Sequence, residues 1–327
     1  MNIVTSAANI IGIHLISELL RRGEQVCAFI DSQANTDEIR RIINYYNVND
    51  AQLSLVRADI SDIQDVINDN VAIIYHCADL YSPLRSDAER MWNANVIGTR
   101  RVAQFAQNQG ARLCYISTTE ALGFAEHDAA VDESTPWQPD SNRTIYAKSK
   151  FYQEMEVWRA INEGLQAIIF CSAFAIGPST AQNDKSSAVL RALTSDNQYY
   201  GRNAFVDARD LASIAIDAAN NDKFLNDRFI IAPYNINLPD IQSVINNIYD
   251  ARGLKTNHNA ASNLSMKIAK FFGDKEAATH LDINKLCDEK HNFDMRKFSE
   301  ILSFDFRSID ESIDNLANFT TQKIQQI

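Results

Sequence analysis

Glycine is scarce in this chain, at 10 of 327 residues, well below the usual share of roughly 7%. The shortage matters because turns that bring a backbone against a ligand rely on glycine's freedom. Basic residues are also short: 31 Lys and Arg face 42 Asp and Glu, for a net charge of −11. That balance argues against non-specific nucleic-acid binding, which needs cations to neutralise phosphates. It leaves room for a small anionic ligand held by backbone N–H groups. The five cysteines, Cys27, Cys77, Cys114, Cys171 and Cys287, are scattered and never spaced C-x-x-C. They are expected to be small buried hydrophobes in a reducing compartment, with no disulfide framework. The six histidines form no H-x-x-x-H or Cys/His cluster, so no metal site is expected. No apolar run approaches the ~20 residues that span a bilayer. The chain opens directly on a strand-like Asn2-Ile3-Val4-Thr5 rather than on a basic and then apolar signal. The expectations are a cytoplasmic protein with no membrane span and no nucleic-acid partner.

What is present is an alternation. Short β-rich runs at 3–5, 25–30, 53–57, 72–77, 113–117 and 167–171 are separated by helical patterns at 10–22, 36–46, 63–68, 88–109 and 146–163. Strands alternating with helices imply a doubly wound parallel sheet covered on both faces. Several strands read as continuous apolar runs, as such burial requires. After about residue 172 the pattern loosens. Residues 179–187 read as polar and turn-like, 205–220 as a strand end entering a helix, and 228–232 as a further strand. Helices are expected near 239–252, 264–272, 294–302 and 308–319. The 264–272 stretch is amphipathic, with core packing its expected use. The length suits one large α/β domain with an appended, mostly helical lobe. The expected division is 1–172 with 203–232 rejoining it, and a lobe of 173–202 and 233–327.

The first strand-to-helix turn reads Val4-Thr5-Ser6-Ala7-Ala8-Asn9-Ile10-Ile11-Gly12. A dinucleotide-binding turn commonly carries three glycines, for the tight turn, the approach to pyrophosphate and the packing of helix on strand. Here Ser6 and Asn9 stand at the first two positions and only Gly12 remains. Asn tolerates positive φ better than most residues, so a similar turn is conceivable. An ordinary strand–turn–helix is an equal alternative. Asp31 closes the second strand, 19 residues after Gly12. An acid there can accept from the adenosine ribose hydroxyls and favours NAD over NADP. Its bland alternative is a solvated turn residue. Asp59, with Ile60 beside it, follows the third strand and could meet an adenine edge or cap a helix. His76-Cys77-Ala78-Asp79 ends the fourth strand at the sheet's carboxyl edge, where ligands bind in this architecture. His76 itself reads as a packed strand residue.

The strongest constellation is Tyr146-Ala147-Lys148-Ser149-Lys150. Residues i and i+4 share a helix face, so the Tyr146 hydroxyl and Lys150 ammonium can both enter a cleft. A phenol with a pKa near 10 is a poor base at neutral pH, and a nearby ammonium stabilises its phenolate. The fifth strand ends in Tyr115-Ile116-Ser117-Thr118-Thr119-Glu120-Ala121-Leu122-Gly123, where a hydroxyl could bond a substrate oxygen. Such clusters also form plain loops. Asn95 lies mid-helix, where Asn has poor propensity. It could hold a water or a backbone group behind Lys150, or simply be an exposed, tolerated residue.

The order of these motifs resembles the extended short-chain dehydrogenase/reductase superfamily. More narrowly, it resembles the NAD-dependent epimerase/dehydratase group that includes dihydroflavonol-reductase-like and hydroxysteroid-dehydrogenase-like proteins. VTSAANIIG, Asp31, RADISD, YHCAD, NANVIGT, YISTTEALG, DESTPW, YAKSK, AIGP and FVDARDLA carry the resemblance over nearly the whole chain. It implies a Rossmann fold with a C-terminal substrate lobe. It also implies catalytic Tyr146 and Lys150, with Thr118 as the catalytic Ser/Thr, five residues before Gly123. Asn95 is grouped with them as a supporting residue. Cofactor contacts are expected from Ser6, Asn9, Ile10, Ile11, Gly12, Asp31, Asp59, Ile60, Cys77, Ala78, Tyr146 and Lys150. Two departures touch the cofactor: the two missing glycines, and Cys171-Ser172-Ala173-Phe174 where the family usually has Pro. The expected activity is an NAD-dependent oxidoreductase or epimerase acting on a small molecule, a sugar nucleotide or similar, and the resemblance implies a homodimer. The other possibility is a member that kept the fold but binds a ligand or partner without turnover.

Overall fold

The structure is a computed structural model. It describes all residues except 33, 68–69, 126–128, 139–142, 181–183, 196, 255–273, 288–291 and 326–327. The chain begins with β1 (Asn2–Val4), α1 (Ile10–Arg21), β2 (Val26–Ile30), α2 (Thr36–Tyr45), β3 (Leu53–Arg57), α3 (Ile63–Val66) and β4 (Ile73–His76). It continues through α4 (Ala88–Trp92), α5 (Gly98–Gln109), β5 (Arg112–Thr118), α6 (Ile145–Asn162) and β6 (Ala167–Ser172). The second half holds β7 (Phe174–Ile176), α7 (Lys185–Leu193), β8 (Arg202–Asp207), α8 (Ala208–Ala219), β9 (Asp227–Ile231), β10 (Tyr234–Asn237) and α9 (Leu238–Ala251). It closes with α10 (Lys275–Cys287), α11 (Arg296–Ser299) and α12 (Ile309–Gln325).

A seven-stranded sheet runs β3-β2-β1-β4-β5-β6-β9, with every pairing parallel. The order reverses between β1 and β4, which opens a crevice at the carboxyl ends of those strands, the place where such sheets bind ligands. Strands β1, β2, β4 and β6 are buried along their whole length, as the apolar runs predicted. Among the described residues no helix is long and apolar enough to cross a membrane.

The second half departs from the sequence expectation in detail. Residues 179–187, read as turn-like, contain the start of α7, whose N-cap Asp184 accepts from Ser187 N–H. A second sheet of three strands, β10-β8-β7, was not foreseen. β7 spans only three residues, and β8 pairs with β7 and β10 rather than with the large sheet. The 294–302 helix shrinks to the four residues of α11. The amphipathic stretch at 264–272 lies outside the described residues. Helix 88–109 is interrupted: five residues, Asn93–Ile97, form a π-helical turn between α4 and α5, a distortion found mostly at functional sites.

Candidate active site

Helix α6 presents Tyr146 and Lys150 together. Thr144 caps its N-terminus by accepting from Ala147 N–H, which places Tyr146 in the first turn and Lys150 one turn later. Both are buried, at 3% and 2% exposure. They line one pocket with Thr118, Cys77 and Ile11 at the carboxyl edge of the sheet. Thr118 ends β5, and its hydroxyl accepts from Glu120 N–H at 3.3 Å. Gly123 has a packing reason to be glycine: a Cβ there would sit 1.9 Å from the Pro136 carbonyl oxygen.

Asn95 lies in the π-helical turn and is fully buried, not exposed. Its side chain accepts from Leu80 N–H at 2.9 Å and donates to the Leu80 carbonyl and Ser149 Oγ, each at 3.0 Å. It therefore ties the segment after β4 to the face of α6 that carries Tyr146 and Lys150. His76 bonds Thr5 Oγ1 at 2.9 Å and Thr99 Oγ1 at 2.7 Å. Burial, and then the Lys150 charge, push its pKa down to about 3, so it packs as a neutral strand residue.

Around this pair sits a group of charges that the sequence reading missed. The Asp79 carboxylate lies 3.7 Å from Lys150 Nζ. Lys185, at the start of α7, is 2.7 Å from Asp282 of α10 and 3.8 Å from Glu120. Its ammonium also stands 4.3 Å from the Tyr81 ring centre and 5.5 Å from that of Tyr146. The Tyr81 hydroxyl donates to Asp282 at 2.9 Å, and its ring meets Tyr146 edge-on at 5.3 Å. Burial raises Tyr146 well above the usual tyrosine value, and the Asp79 and Glu120 charges add to that. Burial lowers Lys150 against the opposing pull of Asp79 and Glu154. Burial lifts the Glu120 pKa to about 7, with Lys185 opposing and Asp282 and Asp79 assisting. The desolvation of Lys185 is outweighed by Asp282 and Glu120, which raise it.

At the other end of the crevice, Ser6 adopts φ +49°, the left-handed backbone for which a glycine is usual. Asn9 caps α1: Oδ1 accepts from Gly12 N–H and Nδ2 donates to the Cys77 carbonyl, each at 2.6 Å. A Cβ on Gly12 would stand 2.5 Å from the Ser6 carbonyl oxygen and 2.9 Å from Ala7 Cα, so this glycine serves the packing of α1 on its turn. Of the two substituted positions, Ser6 thus keeps a backbone a glycine would supply, while Asn9 is extended at φ −76°. The first-turn amides of α1, those of Ile10 and Ile11, lie outside the intrahelical ladder, as they do in any helix. Ile11 itself lines the pocket. These residues fit a dinucleotide, with the Asn9 side chain narrowing the approach. Asp31 directly follows β2 and is exposed, while Arg57 donates to the carbonyls of Asp31 at 3.0 Å and Ser32 at 2.8 Å. Asp59 is exposed and Ile60 half-buried after β3, while Cys77 and Ala78 are buried after β4. Among the described residues Cys27, Cys77, Cys114 and Cys171 are buried and form no disulfide.

The molecule has recognisable relatives. Over 252 residues it is 26% identical to a Synechocystis sp. protein named for dihydroflavonol 4-reductase, covering 75% of this chain and 71% of that one. In three dimensions it resembles the crystal structure of gox2253 (TM-score 0.76, 23% identity, 99% and 98% of the two chains). It also resembles Gre2 of Candida albicans, solved in complex with NADPH (TM-score 0.73, 18% identity, 98% of each chain). At such identities the two structures establish the Rossmann fold. The family's sequence pattern matches residues 3–232, and this chain belongs to the NAD dependent epimerase/dehydratase family, a family of enzymes.

Proposed function

We propose that the protein is an NAD-dependent reductase or epimerase that acts at a hydroxyl or carbonyl carbon of a small molecule, a sugar nucleotide or similar. The observation that carries this reading is the convergence of Tyr146, Lys150 and Thr118 on one pocket at the carboxyl edge of the sheet. Tyr146 donates a proton to a substrate carbonyl oxygen or takes one from a hydroxyl, and Thr118 orients that oxygen. Lys150 supplies positive charge beside the phenol and can hold the nicotinamide ribose. Bound NAD would supply the hydride acceptor or donor. The Ile10 and Ile11 amides, with Ser6, Asn9 and Gly12 shaping the turn, would face its pyrophosphate. Asp31 would accept from the adenosine ribose and disfavour a 2′-phosphate. Asp59 and Ile60 would border the adenine, and Cys77 and Ala78 the nicotinamide side. Asn95 serves as a positioning residue.

The division into a nucleotide-binding part, 1–172 with 203–232, and a substrate lobe of 173–202 and 233–327 belongs to the same proposal. Lys185 and Asp282 come from that lobe, so substrate selection would be written there. A homodimer through the 88–109 and 146–163 segments is also proposed. Trp92 and Tyr152 on these segments are 40% and 48% exposed, and their rings meet at a tilt with centres 5.1 Å apart.

One observation favours a second reading, a member without turnover: Asn9 already satisfies the Gly12 amide and the Cys77 carbonyl. Titration with NAD(H) and NADP(H), then single-turnover reduction of a carbonyl panel, separates the two readings. Saturable nucleotide binding with turnover supports the enzyme. No binding at millimolar nucleotide overturns it.

A further inference from the structure

Asp79 is not one of the three residues assigned to proton transfer, yet its carboxylate stands among them. It follows Ala78 just beyond the carboxyl end of β4. Its Oδ1 is shielded from solvent, takes no hydrogen bond and faces the Lys150 ammonium at 3.7 Å. Its Oδ2 receives a long bond, 3.4 Å, from the Lys185 backbone N–H at the start of α7. Of the charged groups acting on Tyr146 it has the largest effect, ahead of Glu120.

The groups facing Tyr146 can be taken element by element. Asp79 and Tyr81 come from the segment after β4, Tyr115 from β5, and Glu120 from the turn after β5. Lys150 is on α6 and Lys185 on α7. Two cations and two carboxylates therefore surround the phenol. Neither cation is at its disposal: Lys185 is held by Asp282 at 2.7 Å, and Lys150 faces Asp79. A phenolate forms readily only beside an uncommitted positive charge. Here it would form against two carboxylates in a dry site, where charge interactions are strong.

Resting on the enzymatic reading above, we propose that Asp79 is a positioning residue that draws the Lys150 charge away from Tyr146 and keeps Tyr146 a proton donor. The cleft is thereby suited to carbonyl reduction rather than hydroxyl oxidation at neutral pH. In that step a hydride given up by bound NADH, which would leave as NAD+, would form the new C–H bond while the Tyr146 O–H breaks and its proton goes to the former carbonyl oxygen. The phenolate left behind is reprotonated from solvent before the next turnover. Oxidation would need Tyr146 to start as phenolate, the state that Asp79 opposes.

The test is a titration that needs no nucleotide or substrate. The full chain is labelled with tyrosine carrying 13C at Cζ, and the Tyr146 resonance is assigned by its loss in Tyr146→Phe. It is then followed from pH 6 to pH 11 in the wild type, Asp79→Asn and Asp79→Ala. Tyr146 is expected to stay a phenol throughout in the wild type. In both variants it should ionise within the range, its proton affinity reduced by at least about tenfold, one pKa unit. Asp79→Asn keeps the shape of the side chain, so it decides the matter if Asp79→Ala fails to fold. An unchanged Tyr146 resonance in Asp79→Asn would overturn the proposal. If nucleotide binding fails, the enzymatic reading falls, and this titration still reports on Asp79 independently.

Discussion

At the phosphate-turn end of the crevice, neutral side chains stand where glycines are expected, yet Ser6 keeps the left-handed backbone of a glycine and Asn9 caps α1. At the proton-transfer end, the expected residues are all present, yet carboxylates and a second lysine crowd around them. Ser6 and Asn9 adapt by local means: one residue at positive φ and two 2.6 Å hydrogen bonds. The charges near Tyr146 are assembled from four distant segments, the ends of β4 and β5, α7 and α10, so each depends on the others. A turn can be rebuilt with different side chains because its function resides in backbone amides. A proton-transfer site cannot, because its function resides in the balance of charges around one hydroxyl.

The contrast is open to direct attack at both ends. The largest effect is expected from Tyr146→Phe, which removes the hydroxyl and nothing else. Turnover should fall by roughly 10²–10⁴, with nucleotide affinity within about twofold of the wild type if Lys150 holds the ribose alone. Steady-state kinetics and calorimetry on the same preparation check this. Next is Lys185→Met. It leaves Asp282 and Glu120 buried without their cation, and breaking such a pair costs about 3–5 kcal/mol. Denaturant unfolding reads that loss, and an unchanged midpoint would show that Lys185 does not organise the cluster.

A third effect concerns pH. Burial raises Glu120 in the folded chain to about 7 from an ordinary 4.5. A raised folded-state pKa contributes stability that is fully present below the unfolded value and is lost as pH rises through the folded one. Between pH 4.5 and 7 the wild type should therefore lose stability relative to Glu120→Gln, by a few kcal/mol at most. Parallel unfolding curves for the two proteins over that window would remove Glu120 from the charge cluster.

The gentlest change is at the phosphate turn. Asn9→Gly should cost only a few tenths of a kcal/mol as a cap and about 1 kcal/mol for the bond to the Cys77 carbonyl. Nucleotide should then bind more tightly, because the Gly12 amide is released and the approach widens. Calorimetric titration checks the sign. Weaker binding would mean that the Asn9 side chain is itself part of the nucleotide site.

The same two regions show what was legible in the sequence. The parallel sheet was, because its strands are buried on both faces and read as unbroken apolar runs separated by amphipathic helices. Tyr146 and Lys150 were legible as a pair four residues apart on one helix face just after the fifth strand, and Thr118 through the family resemblance, five residues before a glycine that Pro136 leaves no room to replace. The small sheet was not, since β7 is three residues long and β8 continues directly into α8, leaving too little periodicity to distinguish a strand from a turn. Nor was the start of α7 at Lys185, hidden in a polar stretch that could equally have been a loop. Asp79 and Glu120 lay in plain view inside YHCAD and YISTTEALG. Their role was invisible because it depends on Lys185 and Asp282, which only the tertiary fold brings near them. Asn95 carried a partial signal, a poor helix former in mid-helix, and the π-helical turn explains it.

The proposed function requires that the turn rebuilt without its first two glycines still admits a nucleotide to the cleft of Tyr146 and Lys150. Isothermal titration of the wild-type chain with NADH and NADPH tests it most directly. Saturable binding of one nucleotide per chain is expected, tighter for NADH than for NADPH if Asp31 accepts from the adenosine ribose as proposed. No heat of binding with either nucleotide at millimolar concentration would contradict it.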